Sequence, residues 1–170
     1  NNTIQNLEYA FASALKKVSS GGKPRIGFSE GHDELSDLQL NDAMKCLSDG
    51  YEVGRIDLNA VSFAGLDKLK LLIIAKPNQP FTEVEKYKIN YLVMNGGRVF
   101  WAIDNVNAEL DSLRGGGNQY AFAKKLNLDD ILFKYGIRVN YDLLADMNCA
   151  QIPIRVGSIG GQAQLQLAPW

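Results

Sequence analysis

The chain has 170 residues, 46% apolar and 22% charged, with 18 basic against 19 acidic side chains, which fits one ordinary globular domain rather than a disordered or fibrous chain. A net charge of -1 without a Lys/Arg-rich run argues against nucleic acid or an anionic membrane as the main partner. Its longest apolar runs, Leu71 to Ala75 and Val99 to Ile103, have five residues each, against the roughly 20 of a membrane-spanning helix.

Ile4, Leu7, Phe11, Ala14, Leu15 and Val18 recur at spacings of three and four and predict an amphipathic helix over Thr3 to Val18, ended by Gly21-Gly22. Arg25 to Ser29 reads as a short strand, followed by the polar loop Glu30-Gly31-His32-Asp33-Glu34. Leu35, Leu38, Ala43, Met44 and Leu47 mark a second helix with Gly50 as its C-terminal cap, and Tyr51 to Leu58 a second strand. Leu69 to Ala75, bounded by Lys76-Pro77, has the unbroken apolar character of a strand covered on both faces and is the expected sheet centre.

Thr82-Glu83-Val84-Glu85 is a capping box, so a helix should start there, run through Tyr87, Tyr91 and Met94, and stop at Gly96-Gly97. Arg98 to Ile103 is the fourth strand candidate. Alternating strands and helices require right-handed crossovers. The expected fold is therefore α/β, a three-layer, mainly parallel sheet flanked by helices, with a C-terminal β-hairpin. Asn105 to Tyr120, interrupted by Gly115-Gly116-Gly117, reads as a mobile loop. Beyond it, Ala121 to Leu126 is helical in pattern, a short helix passes through Ile131, Leu132, Phe133 and Tyr135 to Gly136, and Ile137 to Asn140 resembles a strand. Ile152 to Val156 and Ala163 to Leu167 form the hairpin. The expected organisation is an N-terminal helix and linker over 1–22, an α/β core over 23–140, and a truncated hairpin extension over 141–170. A start at Asn1 without methionine or signal sequence, and an end at Pro169-Trp170, read as excision from a longer protein.

Ligands of open parallel sheets lie beyond the carboxyl ends of the strands. The candidate binding residues there are Glu30, His32, Glu34, Asp57, Lys76 and Asp104. His32, the single histidine, has carboxylates on both sides in sequence that suit acid/base or cation chemistry. The plainer and preferred reading is a solvated turn in which Asp33 or Glu34 caps the following helix. Neither a Gly-x-Ser-x-Gly elbow, a Gly-Lys-Ser/Thr phosphate loop nor a close histidine pair occurs. Cys46 falls in a predicted helix near its buried side, and Cys149 has no neighbouring cation or histidine. No catalytic residue, metal or cofactor is expected. Tyr9, Phe11, Tyr87, Tyr91, Trp101, Phe133 and Tyr135 have the spacing of core aromatics.

The ordered segments Gln5 to Leu15, Ile26 to Leu35, Leu72 to Pro77, Phe81 to Tyr87, Met94 to Gly97, Leu128 to Arg138 and Ala168-Pro169-Trp170 together resemble the GldG family, the gliding-motility auxiliary component of an ABC-type transporter in Bacteroidetes. Where a family member commonly reads Glu-Gly-His-Gly-Glu-Leu, this chain has Asp33 in place of the second glycine. The resemblance implies a periplasmic domain of a protein held to the inner membrane by anchors elsewhere in its sequence. It also implies a likeness to a domain of an intraflagellar-transport subunit and, more distantly, to flavodoxin-like and glutamine-amidotransferase-like folds. The implied role is non-catalytic, in binding or complex assembly. Its partners would be the membrane and ATPase subunits of the transporter, with a small ligand or cell-envelope polymer as a further candidate. The alternatives are an atypical amidotransferase-like hydrolase using Glu30, His32 and Asp104, and a sugar- or peptide-binding module using the same edge.

Overall fold

A computed structural model describes residues 2–19, 22–108, 120–144, 146, 148 and 151–168. Gly115-Gly116-Gly117, Cys149 and Trp170, singled out above, lie outside the described residues. The chain forms two compact units, residues 1–103 and residues 104–170.

The first unit holds α1 (Asn2–Ser19), β1 (Arg25–Glu30), α2 (Asp37–Ser48), β2 (Glu52–Asp57), α3 (Phe63–Leu66), β3 (Leu69–Ala75), α4 (Glu83–Met94) and β4 (Arg98–Ala102). The strands form one parallel sheet in the order β2-β1-β3-β4, as the alternation of elements requires. Alternating side chains divide β3 between the two faces. Ile73 and Ala75 join Ile26, Phe28 and Leu40 under α2, with Met44, Leu47 and Val53 packed at the rim. Leu72 and Ile74 point to the other face, which α4 covers. There Gly27 has no side chain because a Cβ would come within 2.1 Å of the Ile56 Cδ1. The apolar run of β3 is thus buried on both sides.

Several inward faces differ from the sequence pattern. Leu40, not Leu38, is the buried leucine of α2, while Leu38 and Cys46 are exposed. In α4 the buried positions include Glu85, Lys88, Ile89 and Leu92, and Tyr87 and Met94 face outward. Polar anchoring of this helix to the loops at the sheet edge fixes its rotation. Tyr87 and Tyr91 instead make edge-to-face contacts with Phe63, at centroid distances of 6.0 and 4.8 Å. Tyr9, Phe11 and Phe133 are likewise exposed, and Tyr91, Trp101 and Tyr135 are half-buried, so the aromatic set is not a core.

In the second unit, β5 (Val106–Asn107) pairs antiparallel with β6 (Phe122–Ala123), and α5 spans Asp129–Lys134. The expected helix over Ala121 to Leu126 is replaced by this extended pairing, reinforced where the Lys124 N–H donates to the Asn105 carbonyl at 2.7 Å. The expected strand over Ile137 to Asn140 is irregular. Its first residue is taken up in closing α5, the Ile137 N–H donating to the Leu132 carbonyl across Gly136 at φ 79°. The hairpin is present as β7 (Ile152–Ile159) and β8 (Gln162–Ala168), turned at Gly160-Gly161.

Candidate functional site

The connections from β1 and β3 run to opposite ends of the strand order, so the topological switch point lies between these two strands. The loops at its carboxyl edge, residues 31–36 and 76–82, are joined by backbone hydrogen bonds. Leu35 N–H donates to the Ala75 carbonyl at 3.3 Å, and the N–H groups of Asn78 and Gln79 both donate to the His32 carbonyl, at 2.8 and 3.1 Å. Asn78 Nδ2 donates to the Asp33 carbonyl at 2.7 Å.

His32 sits in this crevice and is 4% exposed. Its ring stacks on Phe81 with centroids 3.9 Å apart and planes 12° from parallel. Nε2 lies 3.1 Å from Oε1 of Glu85 and Nδ1 lies 3.6 Å from Oε1 of Glu34. Both carboxylates are anchored through their other oxygens. The His32 N–H donates to Glu34 Oε2 at 2.7 Å, and the Thr82 N–H and hydroxyl both donate to Glu85 Oε2 at 2.8 Å. Glu85 therefore serves as the capping residue of α4 and as a partner of His32 at once. Burial pushes its carboxyl up, but the Thr82 N–H, the Thr82 hydroxyl and His32 together outweigh that and hold it below the usual carboxylate range. Each ring nitrogen faces a carboxylate oxygen, while a neutral imidazole has only one N–H to offer. The residue types suit proton transfer, yet the ring is sealed by Phe81 on one face and by the two anchored loops.

This burial replaces the expected solvated turn. The N-cap of α2 is Ser36, whose N–H donates to Gln39 Oε1 at 2.9 Å, leaving Asp33 and Glu34 without that role. Asp33 is exposed, at φ 56°, and Lys76 in the facing loop has φ 54°. Both are left-handed conformations that a Cβ disfavours. In urea denaturation Asp33→Gly should therefore raise stability modestly, by about 0.5 kcal/mol, whereas Asp33→Val should lower it by about 1–2 kcal/mol.

Within the first unit, the candidates Glu30, His32, Glu34, Asp57 and Lys76 do not all converge. His32 and Glu34 come together. Glu30 turns to Arg55, whose Nε lies 3.4 Å from Glu30 Oε2 and 3.4 Å from Asp37 Oδ1, while Nη2 donates to the Leu35 carbonyl at 3.2 Å. Asp57 Oδ1 accepts from the Asn59 N–H at 2.8 Å and shapes its own turn. The Lys76 N–H donates to the Ala102 carbonyl at 2.7 Å, extending the β3–β4 pairing. Asp104 is exposed and belongs to the second unit. Among the described residues, no group of three His, Cys, Asp or Glu side chains is placed to hold a metal ion.

Glu85, Phe81, Arg55 and Lys88 complete the edge, although none of them is among the candidate binding residues read from sequence. Glu85 was visible as a capping residue, but its second oxygen had no assigned partner. Lys88 is buried and donates to the carbonyls of Leu58 and Asn59 at 2.7 and 2.9 Å, tying α4 to the loop after β2. Lys88→Met should leave both carbonyls without this donor and reduce stability by about 1–3 kcal/mol in chemical denaturation.

The fold and this edge define a doubly wound α/β domain whose switch-point crevice is filled by its own side chains. The chain belongs to the family described as an ABC-type uncharacterized transport system, which matches residues 23–170. No curated protein matches it. Among solved structures it is similar in fold to the mmIFT52 N-terminal domain, with a TM-score of 0.56 and 17% identity over 86% of this chain. The chain spans 65% of the length of that chain. Among the described residues, no helix is long and apolar enough to cross a membrane.

Proposed function

We propose that this chain is a non-catalytic binding or assembly domain of a GldG-type auxiliary component. It would serve a transporter linked to gliding motility, on the periplasmic side of the inner membrane. The observation that carries this reading is the filled crevice. In the place where doubly wound sheets take substrates, His32, Phe81, Glu34 and Glu85 pack against one another, so the edge joins loops instead of receiving a small molecule. Family membership supplies the transport context, and the partners follow from it as the membrane and ATPase subunits.

The hydrolase alternative draws on the carboxylates beside His32, of which Glu85, 3.1 Å from Nε2, lies within proton-transfer reach. Against it, the carboxylates beside His32 are Glu34 and Glu85, whereas Glu30 lies with Arg55. The ligand-module alternative would require an open concavity at this edge.

Affinity-tagged full-length protein should co-purify the membrane and ATPase subunits, and exchanging residues 23–170 for an unrelated folded domain should abolish recovery. Undiminished recovery after the exchange would overturn the assembly role.

A further inference from the structure

Helix α1 leaves its apolar side uncovered, and Tyr9 on the opposite side is 78% exposed as well. Successive residues of an α-helix advance by about 100°, so Leu7, Phe11, Ala14, Leu15 and Val18 share one arc roughly 100° wide. Tyr9, Ala12 and Ser13 fall on the opposite side. Those three line a groove of about 790 Å³ with Lys23, Pro24 and Tyr51 at the amino ends of β1 and β2. On the apolar arc Leu7 is 70%, Phe11 67%, Leu15 56% and Val18 88% exposed. This is a large apolar surface for one helix to leave uncovered.

The spacing of the stripe indicates what covers it. Leu7, Phe11, Ala14 and Val18 are separated by four, three and four residues, the alternation of a coiled-coil seam. The side-chain sizes are matched about the centre of that run. When two such helices lie antiparallel across a two-fold axis passing between Ala12 and Ser13, Phe11 of each copy faces Ala14 of the other, and Leu7 faces Val18. Each large side chain then meets a smaller one, and the two bulky phenylalanines do not collide. An isologous contact needs this self-complementarity, whereas a lipid surface would impose no such pairing. The groove side of α1 is not used by this contact, since it is the opposite side of the helix.

We propose that α1 is a homodimerisation helix, pairing antiparallel with α1 of a second copy in this register. One helix pair of this length buries less than a standard interface of about 1,600 Å², which makes the association weak and concentration-dependent.

The test is sedimentation equilibrium on the 170-residue chain at concentrations up to about 1 mM. The wild type should pass from monomer to dimer. Phe11→Ala opens a gap opposite Ala14 and should weaken dimerisation at least about tenfold. Ala14→Phe brings phenylalanines face to face and should weaken it similarly. The double substitution Phe11→Ala/Ala14→Phe exchanges the large and small partners and should restore dimerisation to within about threefold of wild type. Far-UV circular dichroism of each variant checks that the helix persists. If Phe11→Ala loses helix, Val18→Ser supplies the second disruption of the seam. A wild type that stays monomeric throughout, or binds anionic vesicles without dimerising, would overturn the proposal. So would a double variant no better than the single ones.

Discussion

Replacing His32 by alanine should cost about 3–5 kcal/mol, the range for truncating a buried ring, and lower the melting temperature by at least about 6 °C. The ring is held by a stack on Phe81 and stands between the anchored carboxylates of Glu34 and Glu85. Its removal deletes the ring stacked on Phe81 and empties the space between two loops. Hydrogen exchange should accelerate first in residues 31–36 and 76–82, where backbone bonds converge on the His32 carbonyl. The triple variant His32→Phe/Glu34→Gln/Glu85→Gln should recover part of the loss, because the new ring refills the stacked site and the carboxylates beside it become neutral amides. A loss below about 1 kcal/mol in His32→Ala would show that this cluster does not lock the edge.

The same cluster sets an acid limb. The folded Glu85 carboxyl lies below the usual range, so its stabilisation is complete above the ordinary carboxylate titration and is lost as pH falls through the depressed folded value. Between about pH 5 and pH 2, the melting temperature of Glu85→Gln should fall less steeply than that of the wild type. Parallel curves would remove Glu85 as a source of acid lability.

Ile74→Ala is the second large effect, with an expected loss of about 3–5 kcal/mol by urea denaturation. Ile74 is fully buried on the central strand, and its neighbours Ile73 and Ala75 serve the core on the other face. The strand cannot shift to close the gap without disturbing both layers. Phe100 offers a control one strand away. It pairs in register with Ile73, but on the edge strand β4, where it is 57% exposed. Phe100→Ala should cost about 1 kcal/mol or less, despite deleting a larger side chain. Equal losses at the two positions would contradict the placement of the core.

The parallel sheet was legible because local patterns and connection rules agree on it. Leu69 to Ala75 is apolar throughout, as a doubly covered strand must be, and Thr82 with Glu85 marks a helix start from four residues. Helix rotation was less legible. In α4 the polar Glu85 and Lys88 take buried places through partners distant in sequence, and the tyrosines that seemed to define its inner face are displaced outward. A two-residue pairing such as β5 with β6 leaves too short a periodic signal to override a local helical pattern.

At the candidate edge, the motif from Glu30 to Glu34 supplied the histidine and one of its carboxylates. Glu85 lies 53 residues further on, and only the crossover through β3 brings it within 3.1 Å of Nε2. By itself, the sequence determined the alternating α/β plan, the central strand, the capping of α4 and the amphipathic character of α1, since each depends on neighbours a few residues apart. Tertiary structure decided that His32 is buried, that Glu30 belongs with Arg55, and that the apolar side of α1 is left exposed. Those outcomes depend on which distant groups satisfy one another's charge and volume, and that pairing is fixed only when the strands are in register.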